Sequence, residues 1–406
     1  MTTDEKSVFN FFDPEFQKNP QKEFTRLVKE CPFSKSTIGP EYYAVARYND
    51  IIDKCRDAAH WSSKFGPTLQ FFSPEDKRAL VNVDPPEHDI EVQIVRRAFS
   101  GQYVKSLESG IRNYCKELVA GIVNKKEVDI QRAYSLPVPL FVICKLLGID
   151  YADAKSHGFD SWVEENALAA LYNPDDLEKA KIAEAAQSKM LDYFAPRLKD
   201  WSDKIERGVA EPDENLITRL VTAEHEGKKL TTNKILGFCG FLLVAGSATT
   251  STAISNLIFR LAEYPDQRRK LLEDMSLIDG AVEEGLRFDA PVHGLFRTNN
   301  EPTDLGGFNL KKDSKVALLW GAGNLDPSFV ENPMEFNIER DVKTNRRNLS
   351  FGYGIHTCLG SSLARMEIRI AIEELLAQIP DYQISGKSER TQADVMSGFD
   401  SLKINW

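Results

Sequence analysis

The decamer FGYGIHTCLG, residues 351–360, sets one cysteine among three glycines and puts a histidine two positions before it. A free cysteine usually serves as a small core residue, and backbone this rich in glycine packs a core poorly. Gly352 and Gly354 allow tight turns, Gly360 permits close approach of a flat group, and the helical pattern SSLARMEIRIAIEELLAQ begins directly behind it. A thiol at a helix N-terminus meets partial positive charge and free N–H groups, which favour the thiolate, the form that binds metal. Zinc asks for more ligands: His356 and Cys358 supply one pair, and no second pair stands at zinc spacing. Nucleophilic catalysis asks for a base and an orienting side chain that no local pattern identifies. Axial ligation of a haem iron asks for one thiolate, open space for the porphyrin face and amide N–H groups to tune the sulfur.

Such a loop needs a scaffold. At 28% charged and 42% hydrophobic, the 406 residues can bury a large core, as one big domain or as two to three smaller ones. Cys31, Cys55, Cys115, Cys144, Cys239 and Cys358 are scattered and form no CxxC pair, the pattern of reduced thiols rather than of a disulfide framework. The opening MTTDEKSVFNFFDPEF shows no basic leader before an apolar stretch, so a cytoplasmic protein with neither secretion signal nor membrane anchor is expected. A net charge of -10 argues against nucleic acid as the main partner.

Hydrophobic periodicity predicts helices over 15–30, 87–99, 102–124, 137–148, 151–170, 175–207, 214–225, 231–263, 265–273, 279–288 and 361–379. Strand-like pieces are few: YYAVARY near the N-terminus, KVALLW at 315–320, and DYQIS and SLKINW at the C-terminus. The pattern predicts a mainly α (α+β) fold, a large helical body with a small sheet fed from both chain ends. One helix dominates, from Thr231 to Tyr264, where Pro265 stops it; at 1.5 Å per residue it spans roughly 50 Å. Its apolar run from Ile235 to Ala245 falls short of the about 20 residues that a bilayer requires. Apolar on nearly every side, it belongs in the middle of the protein.

On these residues FGYGIHTCLG resembles the cysteine-ligand loop of the cytochrome P450 family, the haem-thiolate monooxygenases, and further matches follow in the family's order along nearly the whole chain. The resemblance implies a single domain over 1–406 around a long central helix, with a β-rich part at about 36–50, 293–320 and 382–406. It implies haem b (iron protoporphyrin IX) as cofactor, Cys358 as axial ligand of the iron, and Phe351, Gly352 and Gly360 as contacts from the same loop. Glu284 and Arg287 in AVEEGLRFDAPV match the family's ExxR pair, and Arg340 in FNIERD matches the third member that ties this helix to the cysteine loop. The haem propionates fall to His356, to Arg297 in HGLFRTNN and to His88 in DPPEH. Four residues after that histidine the family commonly has an arginine, whereas this chain has Val92; Arg96, one turn on, is the candidate replacement.

In the long helix AGSATT resembles the family's oxygen-binding kink, with Ala245 and Gly246 as the small pair that leaves room over the iron and Thr249 as the hydroxyl that helps deliver protons to dioxygen. Most members carry an acid immediately before that threonine; this chain has Ala248. Water, Thr250, Ser251 or the substrate then has to relay protons, or the chemistry differs, as in the family's fungal nitric oxide reductases. The segments that the resemblance places around the substrate are apolar: Phe65, Leu69, Phe71 and Phe72; Leu168 and Leu171; Phe241 and Val244; Val292, Leu295 and Phe296; Met396 and Phe399. His293 is one polar handle among them.

The expected activity is therefore insertion of one oxygen atom from dioxygen into a small, mostly apolar or aromatic substrate, by hydroxylation or oxidative dealkylation. Electrons are expected from a separate ferredoxin-type donor, with its reductase, docking on the cysteine side near Arg96, Arg97, Arg346, Arg347, Arg365 and Arg369. Nitric oxide reduction, a peroxide-driven reaction and a non-catalytic haem sensor are the competing readings.

Overall fold

A computed structural model describes residues 8–37, 39–69, 78, 80–96, 101–170, 177–211, 214–225, 227–391 and 395–406. The N-terminal helices are α1 (Pro14–Lys18), α2 (Pro20–Glu30), α3 (Tyr48–Arg56), α4 (Glu87–Arg96) and α5 (Gly101–Ile122). Then come α6 (Pro137–Leu146), α7 (Tyr151–Ser156), α8 (Phe159–Ala170), α9 (Leu177–Glu206) and α10 (Leu216–Thr222). The central helix is α11 (Thr232–Glu263), followed by α12 (Pro265–Glu273), α13 (Ile278–Phe288), α14 (Trp320–Gly323), α15 (Val342–Asn345) and α16 (Ser361–Gln378).

Local chemistry explains where the predicted helices divide. The helix expected over 15–30 breaks at Asn19, which leaves helical geometry and caps α2 by accepting the Lys22 N–H, with Pro20 at the first helical position. The one expected over 151–170 breaks at Gly158, whose φ of +87 lies in the region that only glycine enters freely. Helix α3 has no counterpart in the sequence reading, although its buried Tyr48, Ile51, Ile52 and Cys55 follow helical spacing.

Helix α11 starts where the Thr231 hydroxyl accepts the Lys234 N–H and ends at Tyr264, before Pro265. By length and composition alone it could cross a membrane, yet it packs against α6, α8, α9, α13 and α16, as its all-round apolar surface requires. The chain is thus wound around it.

The expected single small sheet is two separate sheets. The larger has the order β1-β2-β10-β7-β3, from β1 (Phe33–Lys35), β2 (Tyr43–Val45), β3 (Trp61–Ser62), β7 (Leu295–Asn299) and β10 (Lys315–Leu318). Strand β10 runs parallel to β2 and antiparallel to β7, in a register that sets Val316 opposite Arg297 and Leu318 opposite Leu295. Short hairpins β5 (Glu224–His225) with β6 (Lys228–Lys229), and β8 (Thr303–Leu305) with β9 (Phe308–Leu310), lie outside it. The C-terminal strands go elsewhere, because β14 (Lys403–Asn405) pairs on one side with β11 (Gln383–Ile384) and on the other with β4 (Glu127–Asp129). A two-stranded pair, β12 (Glu389–Arg390) with β13 (Phe399–Ser401), completes the C-terminal part.

Candidate functional site: a cysteine loop, a buried cation cluster and the central helix

The cysteine loop is held from below by α13 and the segment after α14. Asn324 accepts the Leu349 N–H at 2.6 Å and donates to Ser350 Oγ at 2.9 Å, while Ser350 Oγ donates to the Leu286 carbonyl at 2.6 Å. The Cys358 N–H returns to the Phe351 carbonyl at 2.9 Å and closes the turn. Gly352 and Gly354 both have positive φ, and a β-carbon at Gly354 would collide with the Cys55 carbonyl, so glycine is required there twice over. Of the six cysteines Cys358 alone is exposed. The loop nevertheless crowds its sulfur, and desolvation raises the thiol pKa, against the pull of the Gly360 and Ser361 N–H groups and of Arg365. A metal cation supplies what that balance lacks, because coordination deprotonates a thiol outright.

Behind the loop lie a buried guanidinium without a counter-ion among the described residues, Arg297, and two imidazoles, of which His88 has Asp89 Oδ1 3.3 Å from its Nδ1. Arg297 on β7 is 4% exposed and donates to the carbonyl of its neighbour Phe296 at 2.9 Å, and among the described residues no other side-chain hydrogen bond and no carboxylate partner is found for it. His356 has a buried Nε2 without a hydrogen-bond partner, and burial, with the charges of Arg297 and His88 added, pushes its pKa down to about 3. The buried ring of His88 packs edge-on against His356 with centroids 4.3 Å apart. Such a cluster is costly unless an anion enters it. Two carboxylates on a planar cofactor seated beside Cys358 meet that need, so the residues present fit haem.

Arg96 is not part of this cluster: it ends α4 as an exposed side chain, and among the described residues no cation replaces Val92 in the buried group.

The ion network beneath the loop is complete. Arg287 donates to Glu284 Oε2 and Oε1 at 2.8 Å each and to the carbonyls of Asn324, Pro333 and Glu335 at 3.2, 2.8 and 3.1 Å. Arg340 reaches Glu284 at 3.2 Å, and Asn345 donates to the same carboxylate at 3.1 Å. The reading from spacing missed Glu283, equally buried, which takes Arg365 at 2.6 Å, Arg346 at 3.2 Å and Asn348 at 3.1 Å. Its partners stand 63 to 82 residues away in sequence, so no local spacing signals them.

Helix α11 is buried along part of its surface and half-buried along the rest, one stretch of which forms a stripe. Phe241, Val244, Ala245, Ala248 and Thr249 are half-buried at spacings of three, four, seven and eight residues, one helix face. Thr249 donates its hydroxyl to the Ala245 carbonyl at 2.8 Å, which leaves the oxygen as an acceptor towards the stripe. Gly246 differs from its assigned role. A β-carbon there would press into Ile143 of α6, so its smallness serves helix–helix contact. Ser251 is engaged as well, accepting from Gln131 at 3.0 Å.

The expected pocket residues separate into groups. Val292 and Leu295 are partly buried between two core clusters, Met396 bridges to Val292, and Leu69 is buried in the main core. Phe65 is 40% exposed. Two assignments need correction. His293 is no polar handle, because its ring packs edge-on against Phe16 and Phe24 with both centroids 5.2 Å away, and burial drives its pKa down to about 3. Phe399 is 3% exposed and packs on Phe259 with centroids 4.9 Å apart, in the core. Phe71, Phe72 and Leu171 lie outside the described residues, as does the side chain of Leu168.

A helical body wound around one central helix, a glycine-rich loop that carries Cys358 just before α16, and a buried guanidinium with two imidazoles near that loop fit a haem-thiolate protein. The comparisons agree. The family model described as Cytochrome P450 matches residues 6–380, and the chain belongs to that family. Among its relatives, the vitamin D(3) 25-hydroxylase of Pseudonocardia autotrophica is 32% identical, over 95% of this chain and 92% of that one. The linalool 8-monooxygenase of Pseudomonas putida is 29% identical over 96% of each. The solved structure of cytochrome P450 CYP109Q5 from Chondromyces apiculatus superposes with a TM-score of 0.86 at 28% identity, covering 98% of both chains. The cofactor is therefore iron protoporphyrin IX, and the chain is an oxidoreductase.

Proposed function

We propose that this protein inserts one oxygen atom from dioxygen into a small, mostly apolar substrate, by hydroxylation or oxidative dealkylation, using electrons from a separate ferredoxin-type donor. Thr249 carries the reading: its hydroxyl stands among Phe241, Val244, Ala245 and Ala248 on one half-buried face of α11. Bound haem supplies the redox chemistry that activates dioxygen. Cys358 would hold its iron, and Arg297, His356 and His88 would hold its carboxylates. N–H groups of Gly360 and Ser361, with the Arg365 guanidinium, stabilise negative charge on the sulfur. The Thr249 oxygen would accept a proton-bearing group, while Phe241 and Val244 on the same helix face would exclude water and favour hydrocarbon. The relatives named for vitamin D(3) and linalool act on molecules of that character.

Electron delivery belongs on the cysteine side, where a groove of about 670 Å³ is bordered by Arg56, Arg346, Arg347, Tyr353, Thr357 and Arg365. The docking cations are fewer than the sequence implied. Arg365 and Arg346 are tied to Glu283, Arg369 is tied to Glu108 at 2.8 Å and Glu373 at 3.1 Å, and Arg97 lies outside the described residues. Arg347, exposed at the rim, and Arg56, which donates to the Tyr353 hydroxyl at 3.0 Å, are the cations best placed for an acidic donor.

Turnover of the holoprotein with a ferredoxin, its reductase, NADPH and oxygen-18 gas, across a panel of small apolar and aromatic compounds, tests the proposal. One labelled atom in the product is expected. Ala248 keeps a second reading in view, since hydrogen peroxide brings its own protons and electrons and needs no acid at that place. Product from peroxide alone, with none from dioxygen and the donor system, would establish it; consumption of NADH with nitric oxide and no redox protein would point to nitric oxide reduction instead.

A further inference from the structure

Lys315, at the start of β10, has no carboxylate partner among the described residues. Its Nζ donates instead to three carbonyls of one short loop, those of Phe65 at 2.7 Å, Gly66 at 3.0 Å and Thr68 at 3.2 Å. A lysine ammonium has three protons, and here each has an acceptor. Convergence of three carbonyls within four residues requires the backbone to curl around one point, and Gly66, at φ +85, supplies the turn. The same loop meets β7 through the Phe296 N–H, which donates to the Pro67 carbonyl at 2.8 Å. Upstream it is anchored by Asp84, which accepts from Ser63 N at 2.8 Å and from the Ser62 hydroxyl at 2.5 Å. Downstream, Leu69 is buried in the main core beside Phe296. Between these anchors the loop rests on the ammonium.

We infer that Lys315 is a positioning residue for the substrate pocket: by gathering the carbonyls of Phe65, Gly66 and Thr68 it holds the loop closed over β7, the strand that carries Leu295 and Arg297. The inference rests on the expectation, carried by the family resemblance, that Phe65 and Leu69 border the substrate. Arginine has a planar fork that cannot aim three donors at one point, and methionine offers none, so the chemistry is particular to a compact ammonium.

Lys64, exposed next to the clamped carbonyls, gives a direct readout, because trypsin cleaves after it only when the loop opens. The holoproteins of wild type, Lys315→Met and Lys315→Arg are compared by tryptic cleavage at Lys64 and by optical titration with imidazole and with the bulkier 4-phenylimidazole. Lys315→Met is expected to raise the cleavage rate at least tenfold and to weaken 4-phenylimidazole about tenfold, with imidazole unchanged within twofold and Lys315→Arg between wild type and Met. Unchanged cleavage in Lys315→Met overturns the clamp. Faster cleavage with both titrations unchanged keeps the clamp but removes the loop from the pocket wall, so the failure of the underlying reading is recognised separately. Equal weakening of both ligands with loss of haem assigns Lys315 to general stability and overturns the proposal.

Discussion

Two arginines lie within ten residues of each other, both buried, and their surroundings are opposites. Arg287 meets five acceptors from the chain itself, two of them carboxylate oxygens. Arg297 meets a single carbonyl on its own neighbour, and beside it stands a histidine whose Nε2 has no partner. Desolvating a guanidinium costs several kcal/mol wherever it happens. The first arginine recovers that cost as the chain folds, and the second recovers it only when an anion arrives from outside. One ties the fold together, and the other is the proposed receptor for the cofactor's carboxylates.

The largest effect that follows is on the first. Arg287→Leu strands Glu284 among Arg340, Asn345 and a dry core, and breaking a buried pair in this way costs about 3–5 kcal/mol. That is a large share of the whole stability of a domain. Chemical denaturation of the apoprotein is expected to show the loss in full, with or without haem in solution.

Arg297→Leu sharpens the contrast. It removes a desolvated charge that has no internal partner, so the apoprotein is expected to be as stable as wild type or more so. Haem retention is expected to fall, since each charge-assisted hydrogen bond is worth about 1.5–3 kcal/mol, a factor of about 10 to 150 in affinity. Transfer of haem to apomyoglobin measures it. An apoprotein destabilised as much as Arg287→Leu would abolish the distinction.

A second pair of buried groups divides by the sign of its pH dependence. His293 is held neutral by burial, its pKa near 3 against 6.5 in the open chain, so between those values the unfolded state binds more protons. Stability is therefore complete above pH 6.5 and is lost as pH falls, by up to about 1.4 kcal/mol per pH unit from this residue. Glu367 on α16 is the reverse. Burial raises its pKa well above 4.5 and its Oε2 has no partner, so the native state holds the extra proton and stability declines as pH rises. His293→Phe is expected to flatten the acid side of a thermal-denaturation profile and Glu367→Gln the alkaline side. Each variant should leave the other limb unmoved.

What could be read from the sequence follows the same division between local and distant causes. The cysteine loop, the Glu284–Arg287 spacing, the long central helix and its proline stop are short-range patterns, and the structure places each in the element expected. Gly246 shows where pattern misleads: a small residue beside a functional threonine reads as room for a ligand, yet Ile143, from a helix about a hundred residues earlier, decides what it faces. His293 lies just before β7 among expected pocket residues, and only the packing of α1 and α2 reveals its aromatic surroundings. The pairing of β14 with β4, and the triple contact of Lys315, likewise join segments whose partners no window of sequence contains.

The smallest effect concerns the half-buried face of α11 that carries Thr249. Ala248 occupies the stripe with Thr249, and Thr249 has already given its proton to Ala245, so neither residue offers a proton to the pocket. Ala248→Asp restores an acid there at the cost of one carboxylate on a half-buried face, where water can still solvate it. Substrate affinity, set by the apolar side chains along the helix, is expected to stay within about twofold, well under one kcal/mol. The fraction of consumed NADPH recovered as oxygenated product is expected to change, because the added group is placed to move protons and not to contact hydrocarbon. Measured side by side by optical titration and by product yield per NADPH, a shift in affinity without a shift in coupling removes position 248 from the proton path and returns the stripe to a purely steric role.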